Sequence, residues 1–375
     1  MSERLEIPPV SMLLGSSWNN YFKILKDQDI SPEYKNKVRL TTLIVMINTP
    51  FHWWEKAVYN QKKLESTTFK KPPVFILGHW RSGTTLLHNM LCKDPRASYV
   101  TTYQTVYPNN LASKLIFRSF MKVAMPDRRP ADNMKLNVSY PQEDEFALSN
   151  MYHNNYYNFY YFPNNYKEYY NKSVRFEGLT HEEREEWKKN YEILLKKAYL
   201  NVKGERQIIK NPVNTARIRV LLEMYPDARF LFIYRNPITV FLSTQKFFRA
   251  ILQSLMLHKV DNDFIDQMIL EVYQMLMDDY LEYKALIPEG NLYELRYESF
   301  EKDPVEYLRI IYDELIRDEF DIVEDSFVKY FESTKGHIKQ KYEVDKSVID
   351  LVQNNWGKYM ELFNYEVPKE IIIKQ

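Results

Sequence analysis

Apolar residues follow two rhythms along this chain. Val74-Phe75-Ile76-Leu77, Gln207-Ile208-Ile209 and Arg229 to Tyr234 (RFLFIY) are short, nearly unbroken runs, as in strands buried on both faces of a parallel sheet. Leu292 to Tyr297 is a weaker fourth. Between these runs the spacing turns helical. Thr84 to Leu91 has that periodicity, and from Val213 to Met224 it is set by Ile218, Leu221 and Leu222, with Tyr225 following in phase. A further helix follows the turn at Asn236-Pro237. Strands alternating with helices predict an α/β fold with a parallel sheet covered on both faces.

The flanking regions differ. Residues 1–70 form an N-terminal helical extension with a break expected at Pro50, and residues 71–375 form the α/β domain. A helical insertion of about 100 residues, near 100–205, separates the first two strands. Within it Tyr152 to Tyr170 (YHNNYYNFYYFPNNYKEYY) is dense in tyrosine and asparagine, and reads as an ordered, aromatic-rich surface or lid. Leu40 to Trp54 is the most apolar stretch. It contains Asn48, Pro50 and His52 and falls short of the ~20 apolar residues a membrane span requires. It reads as a packed helix, with an interfacial helix in peripheral membrane contact as the second reading, because Trp53, Trp54 and nearby lysines suit that setting. No signal peptide is recognisable at the start, so a cytoplasmic protein is expected, membrane-associated in the second reading.

Charge narrows the function. The 51 lysines and arginines balance 50 acids, a net of +1, which argues against a general nucleic-acid binder. The single cysteine, Cys92, excludes a disulfide framework and any multi-cysteine metal site. No histidine has a partner at metal-ligand spacing, so no metal is expected. Glycine is scarce: only 8 occur, where average usage predicts about 26. Such a chain places glycine where the backbone demands it. Two of the eight, Gly78 and Gly83, share one six-residue window.

That window is strand, glycine-bounded loop, helix: Leu77-Gly78-His79-Trp80-Arg81-Ser82-Gly83-Thr84-Thr85. Its spacing matches G-x-x-x-x-G-K-[ST], in which loop amides and a helix N-terminus cradle a phosphate. Thr84 stands where the lysine of a nucleoside triphosphatase reaches the γ-phosphate. Arg81 offers a forked donor instead, suited to a tetrahedral oxyanion. The loop therefore suits a nucleotide without a γ-phosphate. A second constellation places Arg235 at the carboxyl end of a strand, where open α/β sheets bind ligands. Ser243 follows about two turns into the next helix. Together they suit a second, separate phosphate.

These motifs, in this order, resemble those of the 3′-phosphoadenosine-5′-phosphosulfate (PAPS)-dependent sulfotransferases. The similarity is greatest to the bacterial branch related to the protein-tyrosine sulfotransferases. Gly78, Arg81, Ser82, Gly83, Thr84 and Thr85 resemble the family's 5′-phosphosulfate loop, and Arg235 through Ser243 its 3′-phosphate motif. Lys210-Asn211-Pro212 is similar to the element ahead of that motif, and residues 140–148 (YPQEDEFAL) to a segment of the bacterial branch. Tyr297 matches a tyrosine near the nucleotide, and Gly336-His337-Ile338-Lys339 a basic loop over it. The resemblance implies a P-loop-like parallel sheet flanked by helices, PAPS as co-substrate and adenosine 3′,5′-bisphosphate as product. It implies in-line sulfuryl transfer to a small-molecule hydroxyl, with Arg81, the loop amides and Lys210 on the leaving group.

The base is less plain. The stretch Tyr99 to Tyr107 lacks the family's early glutamate, and no matching histidine motif occurs. The nearest acids attached to a family-like segment are Glu143, Asp144 and Glu145. If Pro141 opens a helix, Glu143 falls in its first turn, where the helix dipole alone also favours an acid. Glu143 ranks first as base, Glu145 second and His153 third. His79 is a candidate for the acceptor side, while His88 reads as packed. The rings of Tyr156, Tyr157, Phe159, Tyr160, Tyr161 and Phe162 would wall a pocket for a hydrophobic alcohol such as a sterol or other lipid, or for a phenol. Two rivals stand beside this reading: a P-loop nucleotide kinase, and a catalytically inactive nucleotide-binding protein. Nothing in the pattern indicates an oligomeric state.

Overall fold

Four large apolar side chains between Pro72-Pro73 and Gly78 leave Val74–Leu77 little alternative to a strand with both faces covered, and all four are fully buried. The computed structural model describes residues 10–128, 135–334 and 342–374. Val74–Leu77 pairs in parallel with Arg229–Tyr234, setting Val74 beside Arg229 and Leu77 beside Phe232. Arg229–Tyr234 pairs in parallel with Leu292–Arg296 on its other side, from Phe230 beside Leu292 to Tyr234 beside Arg296. Each parallel step requires a crossover, and helices supply it: Thr84–Leu91 follows the first strand, and Pro237–Leu255 and Asn262–Tyr283 follow the second. The fold is therefore a parallel sheet flanked by helices, as expected. The strand ends and the Thr84–Leu91 helix fall within a residue of the periodicity.

The chain forms two compact units. One, here the loop unit, comprises Pro72–Ala97, Lys210–Arg249 and Asp261–Gln375; the other, the aromatic unit, comprises Met1–Lys71, Ser98–Ile209 and Ala250–Val260. The strand Arg206–Lys210 carries the chain from the second to the first. In the aromatic unit the N-terminal helices share a core with the insertion: Leu13, Tyr21 and Val45 pack with Tyr161 and Phe162.

Two expectations change here. Pro50 does not break the N-terminal extension, since one helix runs through it from Lys35 to Val58. Proline removes the donor to the carbonyl four residues back. That carbonyl belongs to Met46, on the exposed side of the helix. The aromatic run is likewise not a surface or lid. Tyr156, Tyr157, Phe159, Tyr160, Tyr161 and Phe162 are all buried, with rings of Phe159 and Tyr160 centred 4.1 Å apart. They are core of the aromatic unit, where Tyr161 and Phe162 pack against the N-terminal helices.

Candidate functional site

In the loop unit, backbone geometry explains both glycines. Gly78 has φ 134°, and a Cβ there would meet the Ile233 carbonyl oxygen at 2.3 Å. Its N–H donates to Thr215 Oγ1 at 2.8 Å, anchoring the strand end. The Ser82 N–H donates to the His79 carbonyl at 3.2 Å and closes the turn, while Arg81 takes a left-handed φ of 68°. Gly83, at φ 98°, caps the helix Thr84–Leu91 and offers no side chain to its first amides. A Cβ on Gly83 would lie 2.2 Å from the Tyr297 ring. The loop is thus held against Tyr297, a residue more than two hundred positions away.

Residues expected from separate motifs meet at this point. Arg81 Nε donates to Ser243 Oγ at 3.0 Å. Arg235 Nη1 donates to the Arg81 carbonyl at 3.3 Å, and its guanidinium lies 4.3 Å from the centre of the Tyr297 ring. Ser243 sits in the second turn of Pro237–Leu255, as its spacing from Pro237 implies. Two guanidinium groups, a hydroxyl and a helix end without a side-chain cap thus lie in one cluster, the donor types that suit an anion. Burial pushes the Tyr297 phenol up to about 12, and its hydroxyl donates to Glu301 at 2.9 Å. Lys210 ends its strand fully buried. Gly336 and Lys339 lie outside the described residues.

Three members of this cluster were not foreseen. Thr215 ties down Gly78. The Phe247 ring lies 5.2 Å from the Arg81 guanidinium carbon, one helical turn after Ser243, so the i, i+4 spacing could have revealed it. Glu298 accepts the Asn236 N–H at 3.1 Å and the Tyr365 hydroxyl at 2.5 Å, fixing the residue after Arg235. His79 needs a correction. Its ring is buried beside Tyr273 and Trp356 and its Nδ1–H donates to the Trp80 carbonyl at 2.9 Å. Burial lowers it to about 3, so it is a neutral packing group. His88 is buried, as expected.

The acids of the aromatic unit separate clearly. The helix opens at Asp144, so Glu143 is its cap residue and not part of the first turn. The extended backbone after Pro141, which bridges to Thr101, delays the helix start. Glu145 is fully buried and accepts from Asn155 Nδ2 at 2.9 Å and the Tyr156 N–H at 3.3 Å. Asp144 accepts the Tyr191 hydroxyl at 2.5 Å. Glu143, the least buried of the three, accepts the Tyr157 hydroxyl at 2.5 Å. Burial, then the Glu143 charge, pushes that phenol well above its ordinary value, which keeps it a donor. His153 is partly buried, and burial lowers it. Among the described residues no cluster of histidine, cysteine and acids has metal-binding geometry.

Comparison with known proteins converges on one family. The profile described as "Sulfotransferase family" matches residues 72–322. The chain is 30% identical over 330 residues, 87% of its own length and 84% of the relative's, to omega-hydroxy-beta-dihydromenaquinone-9 sulfotransferase Stf3 of Mycobacterium bovis. The Mycobacterium tuberculosis protein of the same name matches equally. Among solved structures, sulfotransferase STF9 from Mycobacterium avium superposes with a TM-score of 0.69 at 16% identity, covering 92% of this chain and 89% of that one. Sulfotransferase STF1 from Mycobacterium tuberculosis H37Rv gives 0.65 at 15% identity, covering 92% and 94%. These two likenesses concern the fold.

Proposed function

This chain belongs to the sulfotransferase family and is a transferase, and from that premise we propose that its donor is PAPS and its acceptor a lipid-like alcohol. The observation that carries the donor reading is the junction of Arg81, Ser243 and Arg235 beside Gly83 and Tyr297. Such a junction suits a ligand with two phosphates that lacks a γ-phosphate. In this proposal Gly78, Arg81, Ser82, Gly83, Thr84 and Thr85 hold the 5′ side of the donor. Arg235 and Ser243 hold the 3′-phosphate, and Tyr297 packs beside them. PAPS, when bound, supplies the sulfuryl group and leaves as adenosine 3′,5′-bisphosphate.

Charge grows on the leaving phosphate as the bond to sulfur breaks, and Arg81, the loop amides and Lys210 are the groups assigned to meet it. Glu143 is assigned to accept the proton of the attacking hydroxyl, with the Tyr157 hydrogen bond holding its carboxylate in one rotamer. Asp144 and Glu145 are assigned structural roles. Each already carries a hydrogen bond that ties two parts of the aromatic unit together.

The acceptor reading no longer draws on the tyrosine-rich run, whose rings are core. It is supported by the relative whose name specifies a hydroxylated dihydromenaquinone. The test is calorimetric titration with adenosine 3′,5′-bisphosphate, with magnesium–ATP as control, on wild type and Arg235→Ala. Metal-free binding, weakened roughly ten- to hundredfold by the substitution, is the expected result. No binding, or a preference for magnesium–ATP, overturns the donor reading. Transfer of labelled sulfate to hydroxylated polyprenyl quinones, with sterols and phenols alongside, then tests the acceptor.

A further inference from the structure

One helix of the aromatic unit is polar inside and apolar outside. Lys35–Val58 buries Lys37, Thr41, Val45, Asn48, His52 and Glu55. On the opposite side Leu43, Met46, Ile47, Trp53, Trp54 and Val58 are exposed, Trp53 at 69%. Their spacing puts them on one stripe. A solvated helix of a globular protein has the reverse arrangement.

Each of the buried polar side chains has at least one polar partner, although His52 Nδ1 has none among the described residues. Lys37 Nζ donates to the Ser254 carbonyl at 2.5 Å, Asn48 Nδ2 to the Leu14 carbonyl at 2.9 Å, and His52 meets Asn110 at 3.2 Å. Glu55 accepts the Ala112 N–H at 2.6 Å and pairs with Lys197. The inward polar face is therefore built into the unit, and the outward apolar face is a stable feature of it.

A second helix continues the surface. On Lys114–Ala124, Leu115, Ile116, Phe120 and Val123 are exposed along one side, Leu115 at 87%. Phe117 meets Phe51 of the first helix edge-on, with ring centres 5.0 Å apart, so the two stripes adjoin. An exposed apolar surface of this extent marks an interaction site. Its charge is of one sign. Residues 35–64 and 111–125 contain nine lysines and arginines, of which Lys37 is turned inward, against one acid, Glu55. That acid is the one drawn inward onto Lys197, while Lys56 and Lys122 stay exposed beside the stripes.

We propose that this two-helix face docks on a lipid bilayer containing anionic headgroups, with Trp53, Trp54, Leu115 and Phe120 in the acyl boundary and Lys56 and Lys122 at the phosphates. Apolar side chains, paired tryptophans and a basic rim form the usual combination for an interfacial helix. A second copy of this chain fits the same face poorly. Two-fold pairing would set lysine-bearing surfaces against each other with no exposed acid in these segments to neutralise them. No described helix is long and apolar enough to cross a membrane, so the contact is peripheral. The inference stands independently of the donor and acceptor assignments.

The test is co-sedimentation of the full chain with phosphatidylcholine vesicles, with and without phosphatidylglycerol. Three variants accompany wild type: Trp53→Ser with Trp54→Ser, Leu115→Gln with Phe120→Gln, and Lys56→Gln with Lys122→Gln. Wild type is expected to sediment with the phosphatidylglycerol vesicles. Each apolar pair of substitutions should cut partitioning by at least about tenfold, and each lysine removed by about fivefold at low salt. Circular dichroism melts and adenosine 3′,5′-bisphosphate binding check that the variants fold. Leu115→Gln alone, at the most exposed site, serves if a double variant does not. No sedimentation of wild type with either vesicle overturns the proposal. So does a dimer in light scattering that the apolar substitutions dissolve without any vesicle binding, which would assign the face to a second copy.

Discussion

The two units fix their candidate functional groups by different means. In the loop unit the backbone does the positioning. Gly78 and Gly83 sit where a single methyl group would strike Ile233 and Tyr297, and Arg81 adopts a left-handed conformation between them. In the aromatic unit the backbone of the acid-bearing segment is an ordinary helix start, and tyrosine and asparagine hydrogen bonds decide what each carboxylate can do. A site set by backbone geometry leaves a local sequence signature; one set by side-chain partners leaves almost none.

The largest expected effect tests the loop directly. Arg81→Ala should lower the rate by about 10³, the scale for removing one preorganised donor from a developing oxyanion. Stability should change little, because Arg81 is only partly buried and Ser243 keeps its helical place. Steady-state kinetics and a urea melt on the same preparation decide it. If the melt shifts and the rate does not, Arg81 is a structural link to Ser243 and no more.

In the aromatic unit the sharpest comparison is between neighbours. Glu143→Gln should cost about 10²–10³ in kcat, within the range of general-base catalysis, and Tyr157→Phe about tenfold, because only the orientation of the carboxylate is lost. A pH profile separates the two: Glu143→Gln abolishes the acidic limb, whereas Tyr157→Phe moves its midpoint. Glu145→Gln should leave kcat near wild type and lower stability by about 1–2 kcal/mol, since a buried acceptor of two donors is weakened. If Glu145→Gln abolishes turnover with stability intact, the assignment of the base moves to Glu145.

Gly78→Ala returns to the backbone. The added methyl faces a carbonyl oxygen at 2.3 Å and φ 134° suits no other residue, so about 2–3 kcal/mol of stability should be lost. Urea unfolding measures it. Restoration by a second substitution of Ile233 is not expected, because the clash is with main chain.

What was legible in the sequence divides along the same line. The four strands, the loop and the Arg235-to-Ser243 spacing could be read because each depends on residues close in the chain. Contacts between distant segments could not: nothing in the order of residues links Gly83 to Tyr297, Gly78 to Thr215, or Glu143 to Tyr157. The helix Lys35–Val58 departs from the expected break for a physical reason. Pro50 ordinarily ends a helix, yet here the bond it removes faces outward. The tyrosine- and asparagine-rich run, interleaved with Phe159, Phe162 and Pro163, reads as an ordered surface or lid, yet it is core. Two of its asparagines are buried too, Asn155 bonded to Glu145 and Asn158 to the His153 carbonyl. Composition could not show that partners were supplied.

The smallest expected effect probes both units at once through their buried histidines. His52 lies in the aromatic unit and His79 in the loop unit. Burial holds the first near 4 and the second near 3, against an ordinary 6.5. Both are therefore neutral in the folded chain through the mildly acidic range, whereas in the unfolded chain they take up protons as pH falls through about 6.5. The unfolded state binds more protons there, so stability is complete above that value and declines below it. The decline continues for each histidine until its folded value is reached. By pH 6 each imidazole should remove about 1 kcal/mol. Urea midpoints at pH 7.5 and pH 6 measure the decline, and His52→Gln, which can still meet Asn110, should erase its share and leave that of His79. If His52→Gln leaves the full pH dependence in place, the imidazole of His52 is not held neutral, and the polar face of its helix is wetter than its packing implies.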